Sequence, residues 1–293
     1  MQVISIRPRG FCPGVARAIQ LVEQALSDPS VKRPVYILGM IVHNAHVVRD
    51  LEKKGAITLD EPGKTRLELL DSISHGTVVI TAHGASLEVL DQIKAKGLDL
   101  IDATCKDVYR THDAIKKHLQ SNEQVLFIGK RHHPETEAIL AISSKIILID
   151  PSEPSFRFAI DEQPVYVTNQ TTLSQVELER IFNQLRQMAP DLLIENELCD
   201  STRIRQAAIL AHNQAVDLCY IVGDPRSNNT RSLVELSIEK THTPTYLLEN
   251  VADINPRDLV NVKRVSVSSG ASTPPTLTEE VIDFLRHYSK EDQ

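Results

Sequence analysis

Three cysteines, Cys12, Cys105 and Cys199, stand 93 and 94 residues apart and divide a chain of 293 residues into near-equal thirds. Each follows a short apolar run and precedes an amphipathic one. Thiols at equivalent points of three repeats can converge on one centre, where thiolates select an iron–sulfur cluster, zinc or copper(I). Three protein ligands leave one position of such a centre open to a substrate. Dispersed single cysteines differ from the CxxC pairs of structural zinc sites, yet on spacing alone zinc and an iron–sulfur cluster both remain open. Pro13 suits a first helical turn, so the cysteines are expected at helix N-termini, where thiolate is favoured. The fourth cysteine, Cys219, lies off the repeat inside the apolar run Leu218-Cys-Tyr-Ile-Val and reads as a core residue.

Polar residues follow the cysteines at repeating offsets. His43 comes 31 residues after Cys12, and His133 and Ser227 each come 28 after Cys105 and Cys199. A second set, His83, Thr171 and Ser272, follows at 71, 66 and 73 residues. Glu135 accompanies His133, and Asn228 and Asn229 accompany Ser227. Folded about a threefold axis, these groups would ring one cavity. Imidazolium, hydroxyl and amide donors at helix N-termini suit a phosphate or diphosphate. The plain alternative is capping: Ser227, Asn229 and Ser272 can cap helices, and a carboxylate such as Glu135 is favourable in a first turn. The remaining histidines receive no role.

These residues must be held by elements, and four strand-like runs recur in each third. The first leads to a cysteine: 3–6, 98–104 and 192–198. The second ends in glycine: 35–39, 125–129 and 218–223. The third covers 56–60, 146–150 and 246–249, and the fourth 77–81, 164–168 and 265–268. Helical patterns lie between them, as with Val15, Ile19, Val22 and Leu26 after Cys12, and Val108, Ile115 and Leu119 after Cys105. Alternating strands and helices predict parallel sheets with helical crossovers. The expected fold is α/β: three domains with mostly parallel sheets, related by pseudo-threefold symmetry. The expected boundaries are 14–104, 105–197, and 198–286 together with 1–13. The segment 287–293 is expected to be a polar tail. Ligands of such sheets bind beyond the C-terminal strand ends, where these polar residues fall.

Composition narrows the partners. The chain is 41% hydrophobic and 24% charged, with net charge −7, no Trp and 4% aromatic residues. That balance argues against nucleic acid, anionic membranes and stacking platforms. No apolar run approaches a membrane span, and the start lacks a signal-peptide core. A cytoplasmic location is expected, where thiols stay reduced.

The order of motifs carries a resemblance. Arg9-Gly-Phe-Cys-Pro-Gly-Val15, Val42-His-Asn44, Ala82-His-Gly84, Asp102-Ala-Thr-Cys105, His133-Pro-Glu135, Gln170-Thr-Thr-Leu-Ser174, Ser227-Asn-Asn229 and Gly270-Ala-Ser272 resemble the 4-hydroxy-3-methylbut-2-enyl diphosphate reductase family, the LytB-type iron–sulfur reductases of isoprenoid synthesis. The resemblance runs from residue 9 to about 285. It implies a cloverleaf of three α/β domains around a central [4Fe-4S] cluster ligated by Cys12, Cys105 and Cys199. It implies that His43, His83, His133, Ser227, Asn229 and Ser272 hold the substrate diphosphate. Asn228 stands where the family pattern has a second Ser, and its amide is kept as a secondary binder. Glu135 matches the proton donor and Thr171 its hydroxyl partner. Asp200-Ser-Thr-Arg203 differs from the family form except at Thr202, and Lys130-Arg131 is expected to add positive charge near the pocket mouth. A ferredoxin or flavodoxin is the implied electron donor, and the chain is expected to act as a monomer. Two other classes use similar parts. A non-redox hydratase or lyase can employ a three-cysteine cluster with an open iron. A metal-binding sensor would have no use for Glu135 and Thr171 beside a ring of donors.

Overall fold

The structure is a computed structural model that describes residues 1–153, 155–156, 163–189 and 191–288. Among these residues twelve strands form three four-stranded sheets, every pairing parallel. The first sheet contains β2 (Val35–Leu38), β3 (Ala56–Leu59), β4 (Thr77–Ile80) and β5 (Asp99–Asp102). The second contains β6 (Gln124–Ile128), β7 (Ile147–Ile149), β8 (Val165–Asn169) and β9 (Leu193–Ile194). The third contains β10 (Leu218–Val222), β11 (Thr245–Leu248), β12 (Arg264–Ser269) and the N-terminal β1 (Gln2–Ser5). The orders are β3-β2-β4-β5, β7-β6-β8-β9 and β11-β10-β12-β1, one arrangement repeated three times. All twelve strand-like runs of the sequence become strands. The shortest is β9, where only two residues of the run 192–198 pair before the chain turns toward Cys199.

Why these runs form strands is visible in their burial. The central strands β4, β6, β8 and β10 are buried at every position, because helices cover both faces, as parallel sheets require. Alternate residues feed two cores per sheet. In the second sheet Leu126, Ile128 and Val167 face one side, and Val125, Phe127 and Tyr166 the other. Cys219 packs with Ile6, Ile209 and Ile221, the core position read from its sequence.

Each cysteine begins a long helix. Cys12, Cys105 and Cys199 are the N-caps of α1 (Pro13–Ser27), α5 (Lys106–Gln120) and α8 (Asp200–Asn213). The helix α2 (Ala45–Lys53) is capped by Asn44, α6 (Pro134–Leu140) by His133, and α9 (Asn228–Leu236) by Ser227. Between β2 and β4, β6 and β8, and β10 and β12 the chain departs in opposite directions. These are topological switch points, where the strand-end loops part and leave a crevice. The histidine- and hydroxyl-bearing loops occupy the three crevices. The expected tail reads differently at its start: His287 closes α10 (Pro275–His287), and Tyr288 packs against the third core because its ring has apolar partners there. Residues 289–293 lie outside the described residues.

The glycine ending each second strand has a fixed task. The N–H groups of Gly39, Gly129 and Gly223 donate to the carbonyls of Leu59, Ile149 and Leu248, at 2.8, 3.0 and 2.8 Å. A Cβ on Gly129 would lie 2.5 Å from the Phe127 ring and 2.6 Å from Thr136 Oγ1. Gly129→Ala should therefore destabilise the protein by about 1–3 kcal/mol through overpacking. Urea unfolding will read this as a lower midpoint at unchanged slope, and an unchanged midpoint would contradict the packing described.

Candidate active site

The three crevices open into one central cavity. The structure places all twelve residues singled out in the sequence on its wall: Cys12, Cys105, Cys199, His43, His83, His133, Glu135, Thr171, Ser227, Asn228, Asn229 and Ser272. They come from all three sheets, so the cavity exists only when the three are assembled.

The cysteines are set by a repeated backbone bond. Cys105 N–H donates to Ala82 O at 3.0 Å, Cys199 N–H to Thr171 O at 3.1 Å, and Cys12 N–H to Ala271 O at 2.9 Å. Each acceptor lies in the loop after the fourth strand of the sheet that the cysteine's own strand has joined. Gly14 keeps space between two of the sulfurs. A Cβ there would sit 2.8 Å from Cys105 Sγ and 3.9 Å from Cys12 Sγ. Burial pushes the Cys105 thiol up, and the Cys199 thiol up to about 11, against the hydrogen bond with Thr202. The helix N-terminus alone therefore does not produce the thiolate expected from sequence, because desolvation outweighs it. Three converging thiols without a CxxC pair fit an iron–sulfur cluster with one iron lacking a protein ligand.

The histidines form a compact triad. Ring centroids are 4.5 Å apart for His43–His83, 5.4 Å for His43–His133 and 5.2 Å for His83–His133. One nitrogen from each lies within 4.8 Å of the others, a spacing that also suits a metal ion. The hydrogen bonds favour an anion. His133 Nδ1 accepts the Glu135 N–H at 3.2 Å, capping α6. That ring therefore carries its proton on Nε2 and offers a donor rather than a lone pair. His43 Nε2, His83 Nδ1 and Asn228 Nδ2 are buried without a partner. Orphaned buried polar atoms are costly, and phosphate oxygens would satisfy them. Burial pulls His43 down to about 4 and His83 and His133 well below their ordinary value; nearby arginines add to it at all three, and neighbouring histidines at His83 and His133. Burial therefore works against the imidazoliums expected from sequence and favours neutral imidazole donors.

Other donors are engaged within the site. Ser272 Oγ donates to His43 O at 3.0 Å, and Asn229 Nδ2 to Thr202 Oγ1 at 3.2 Å. Asn229 Oδ1 meanwhile accepts Ala271 N–H at 2.8 Å. Ser227 Oγ accepts the Thr230 N–H, so capping is real and leaves its own hydrogen available. Asp224 binds the His43 loop from the third sheet through Ala45 N–H at 3.0 Å. The bonds from Arg226 and Ala45 overcome burial and hold its carboxyl at about 2. Lys130 pairs with Glu177 at 3.1 Å and Arg131 with Glu153 at 2.9 Å. Both charges are paired, and the Lys130 charge still reaches His133, where it opposes the imidazolium.

Glu135 is 1% exposed and does not cap α6. Its Oε1 accepts the Thr171 N–H at 2.8 Å and its Oε2 the Thr171 hydroxyl at 3.0 Å. Burial pushes its carboxyl up to about 7, although both Thr171 bonds pull the other way. Sequence reasoning passed over three further groups. Thr202, one helical turn after Cys199, hydrogen-bonds with its sulfur at 3.2 Å. Asp107, two residues after Cys105, and Thr172 also line the cavity. Offsets of two and three from a helix-capping cysteine are the signal that could have found Asp107 and Thr202.

With this geometry in hand, known proteins place the chain. The family model described as LytB protein matches residues 3–286. The chain belongs to the LytB family. A family relative from Anoxybacillus flavithermus, named 4-hydroxy-3-methylbut-2-enyl diphosphate reductase, is 42% identical over 289 residues, 98% of this chain and 91% of its own length. One of the same name from Bacillus cereus is 43% identical over 289 residues, with the same coverage of 98% and 91%. Among solved structures of the family, the E-1-hydroxy-2-methyl-but-2-enyl-4-diphosphate reductase from Plasmodium falciparum superposes with TM-score 0.87 at 29% identity, covering 98% of this chain and 88% of that one. A second, (E)-4-hydroxy-3-methyl-but-2-enyl diphosphate reductase, gives TM-score 0.66 at 30% identity over 98% and 100%. The α/β fold of three parallel sheets is therefore that of the family. No helix among the described residues is long and apolar enough to cross a membrane.

The raised carboxyl makes a signed prediction. Below about pH 4.5 Glu135 is protonated folded or unfolded, and its burial costs nothing. Between about pH 4.5 and about 7 the unfolded state ionises while the folded carboxyl keeps its proton, so stability is lost across that window and is constant above it. Glu135→Gln removes that loss. Its stability relative to the parent should improve by about 3 kcal/mol between acid and pH 8, read by urea unfolding of the apoprotein at both pH values. A pH-independent difference would contradict the raised carboxyl.

Proposed function

We propose that this chain is an oxidoreductase, a 4-hydroxy-3-methylbut-2-enyl diphosphate reductase. It removes the allylic hydroxyl of (E)-4-hydroxy-3-methylbut-2-enyl diphosphate, giving isopentenyl and dimethylallyl diphosphate, the last step of the methylerythritol phosphate route. The observation that carries the reading is a buried carboxyl poised near neutrality, Glu135, hydrogen-bonded to Thr171 inside a cavity walled by three thiols and unpartnered donors.

Cys12, Cys105 and Cys199 hold a [4Fe-4S] cluster. When bound, it supplies the electrons and an iron open to the substrate hydroxyl. The chain's own residues do the rest. His43, His83 and Asn228 donate to the diphosphate through groups that otherwise stay unpaired, and His133 donates through Nε2. Ser227 adds its hydroxyl. Asn229 keeps a second Nδ2–H beside the one it gives Thr202. Ser272 reaches the anion only by exchanging the bond it makes to His43 O, which couples binding to closure of the loops. Fixing the diphosphate fixes the short carbon chain, lowering the entropic cost of reaction. Two electrons and two protons are consumed: one proton leaves with the hydroxyl as water and one ends on carbon. Hydroxide is a poor leaving group, so Glu135 must give its proton as the C–O bond breaks, with Thr171 relaying it. A carboxyl near 7 is half-protonated at working pH, as a general acid requires.

The functional units are 14–104, 105–197, and 198–286 with 1–13. A ferredoxin or flavodoxin supplies the electrons to a cytoplasmic monomer.

Cys105→Ser should lose both the visible absorbance of the anaerobically reconstituted cluster and turnover. Glu135→Gln should keep the absorbance and bind the diphosphate normally, while turnover with a strong reductant falls 10²-fold or more. Near-normal turnover in the Gln variant would sink the proton-donor assignment. Zinc in place of iron and sulfide in the parent protein would sink the cluster.

A further inference from the structure

A buried cation stands behind the thiols. Arg205, on α8, is 3% exposed. Its Nη1 donates to Ser201 O at 3.1 Å and its Nη2 to Gly10 O at 2.7 Å. Those carbonyls lie two residues from Cys199 and Cys12, so one planar guanidinium ties the first turn of its own helix, beside Cys199, to the Cys12 loop 195 residues away in sequence. Its Nε is buried without a partner. No carboxylate of the described residues pairs with it.

An unpaired buried charge costs several kcal/mol, and guanidinium cannot escape by losing its proton. Something must balance it. The charged-group neighbours that favour its charge are the sulfurs of Cys12 and Cys199, which offset part of the effect of burial. As thiols they carry no charge. As cluster ligands they carry one negative charge each.

We propose that Arg205 is the buried counter-charge of the thiolate-bound cluster, a positioning residue that also raises the cluster's reduction potential. The inference rests on the cluster reading above. Each electron taken from a low-potential donor adds one negative charge to the cluster and its thiolates, with no proton accompanying it. Attraction to a fixed cation therefore grows on reduction, and net charge is among the determinants of such potentials. In a net-acidic chain this cation is enclosed by protein, where salt screens it poorly. Lysine keeps the charge and loses the two-pronged clamp; glutamine keeps polarity and loses the charge.

The test is a dithionite titration of anaerobically reconstituted protein, followed by visible absorbance and electron paramagnetic resonance. At a fixed potential, Arg205→Gln should change the oxidised-to-reduced ratio of the cluster at least tenfold toward oxidised. That equals a midpoint about 59 mV more negative for a one-electron couple. Arg205→Lys should stay within about threefold of the parent. A Gln variant that folds and holds iron and sulfide at the parent midpoint overturns the proposal. If both variants lose the cluster equally, Arg205 is a structural clamp and the counter-charge role also falls. If Gln loses the cluster while Lys keeps it at the parent midpoint, the charge is essential, as proposed. Absence of iron and sulfide from the parent protein would instead refute the cluster reading itself.

Discussion

One hydrogen bond, made three times, governs the rest of the structure: the backbone N–H of each cysteine to a carbonyl of the loop after a neighbouring fourth strand. It joins the residue that starts one repeat to the crevice of the repeat before it. Because the arrangement is cyclic, the third instance must connect Cys12 to Ala271, across nearly the whole chain. Side chains facing the cavity inherit their positions from this closure. The sulfurs come from the donors of these bonds; Thr171 is itself an acceptor, and Ala82 and Ala271 stand beside His83 and Ser272.

Symmetry of backbone does not extend to chemistry. At equivalent helix starts the three copies carry Asn44, His133 and Ser227, and in equivalent loops His83, Thr171 and Ser272. The carboxyl sits only in the middle copy. Its two bonds to Thr171 span the second sheet's switch point and tie both residues to one rigid unit. Ser272 instead bridges units, through His43 O. In the proposed function, proton delivery would thus be built within a single sheet and substrate capture between sheets.

Much of this was legible in the residue order. Fully buried runs such as Val125-Leu-Phe-Ile128 announce central strands, and terminal glycines announce the turns that follow. The cysteine spacing announced the repeat, and offsets that agree within a few residues pointed twelve residues to one cavity. What burial decides was not legible. Helix starts suggested thiolates, and phosphate binding suggested imidazoliums; desolvation reverses both, raising Cys199 and lowering His43. A linear sequence gives charge but not its partner, so the pairing of Lys130 with Glu177 was not legible. Arg205 read as nothing at all, because its partners are backbone carbonyls, one on its own helix and one 195 residues away beside Cys12.

The parallel pairing of β1 with β12 joins Val3 to Val265 and Ile4 to Ser266. During synthesis the first strand emerges long before the last, and domains form as their parts become available. The first two sheets can close while the chain is still growing; the third cannot. Cys12 caps α1, which packs on the first sheet, but its backbone partner Ala271 follows β12. The third of the three cysteine bonds therefore closes only after the last strand has left the ribosome, and until then the three sulfurs are not locked around one centre.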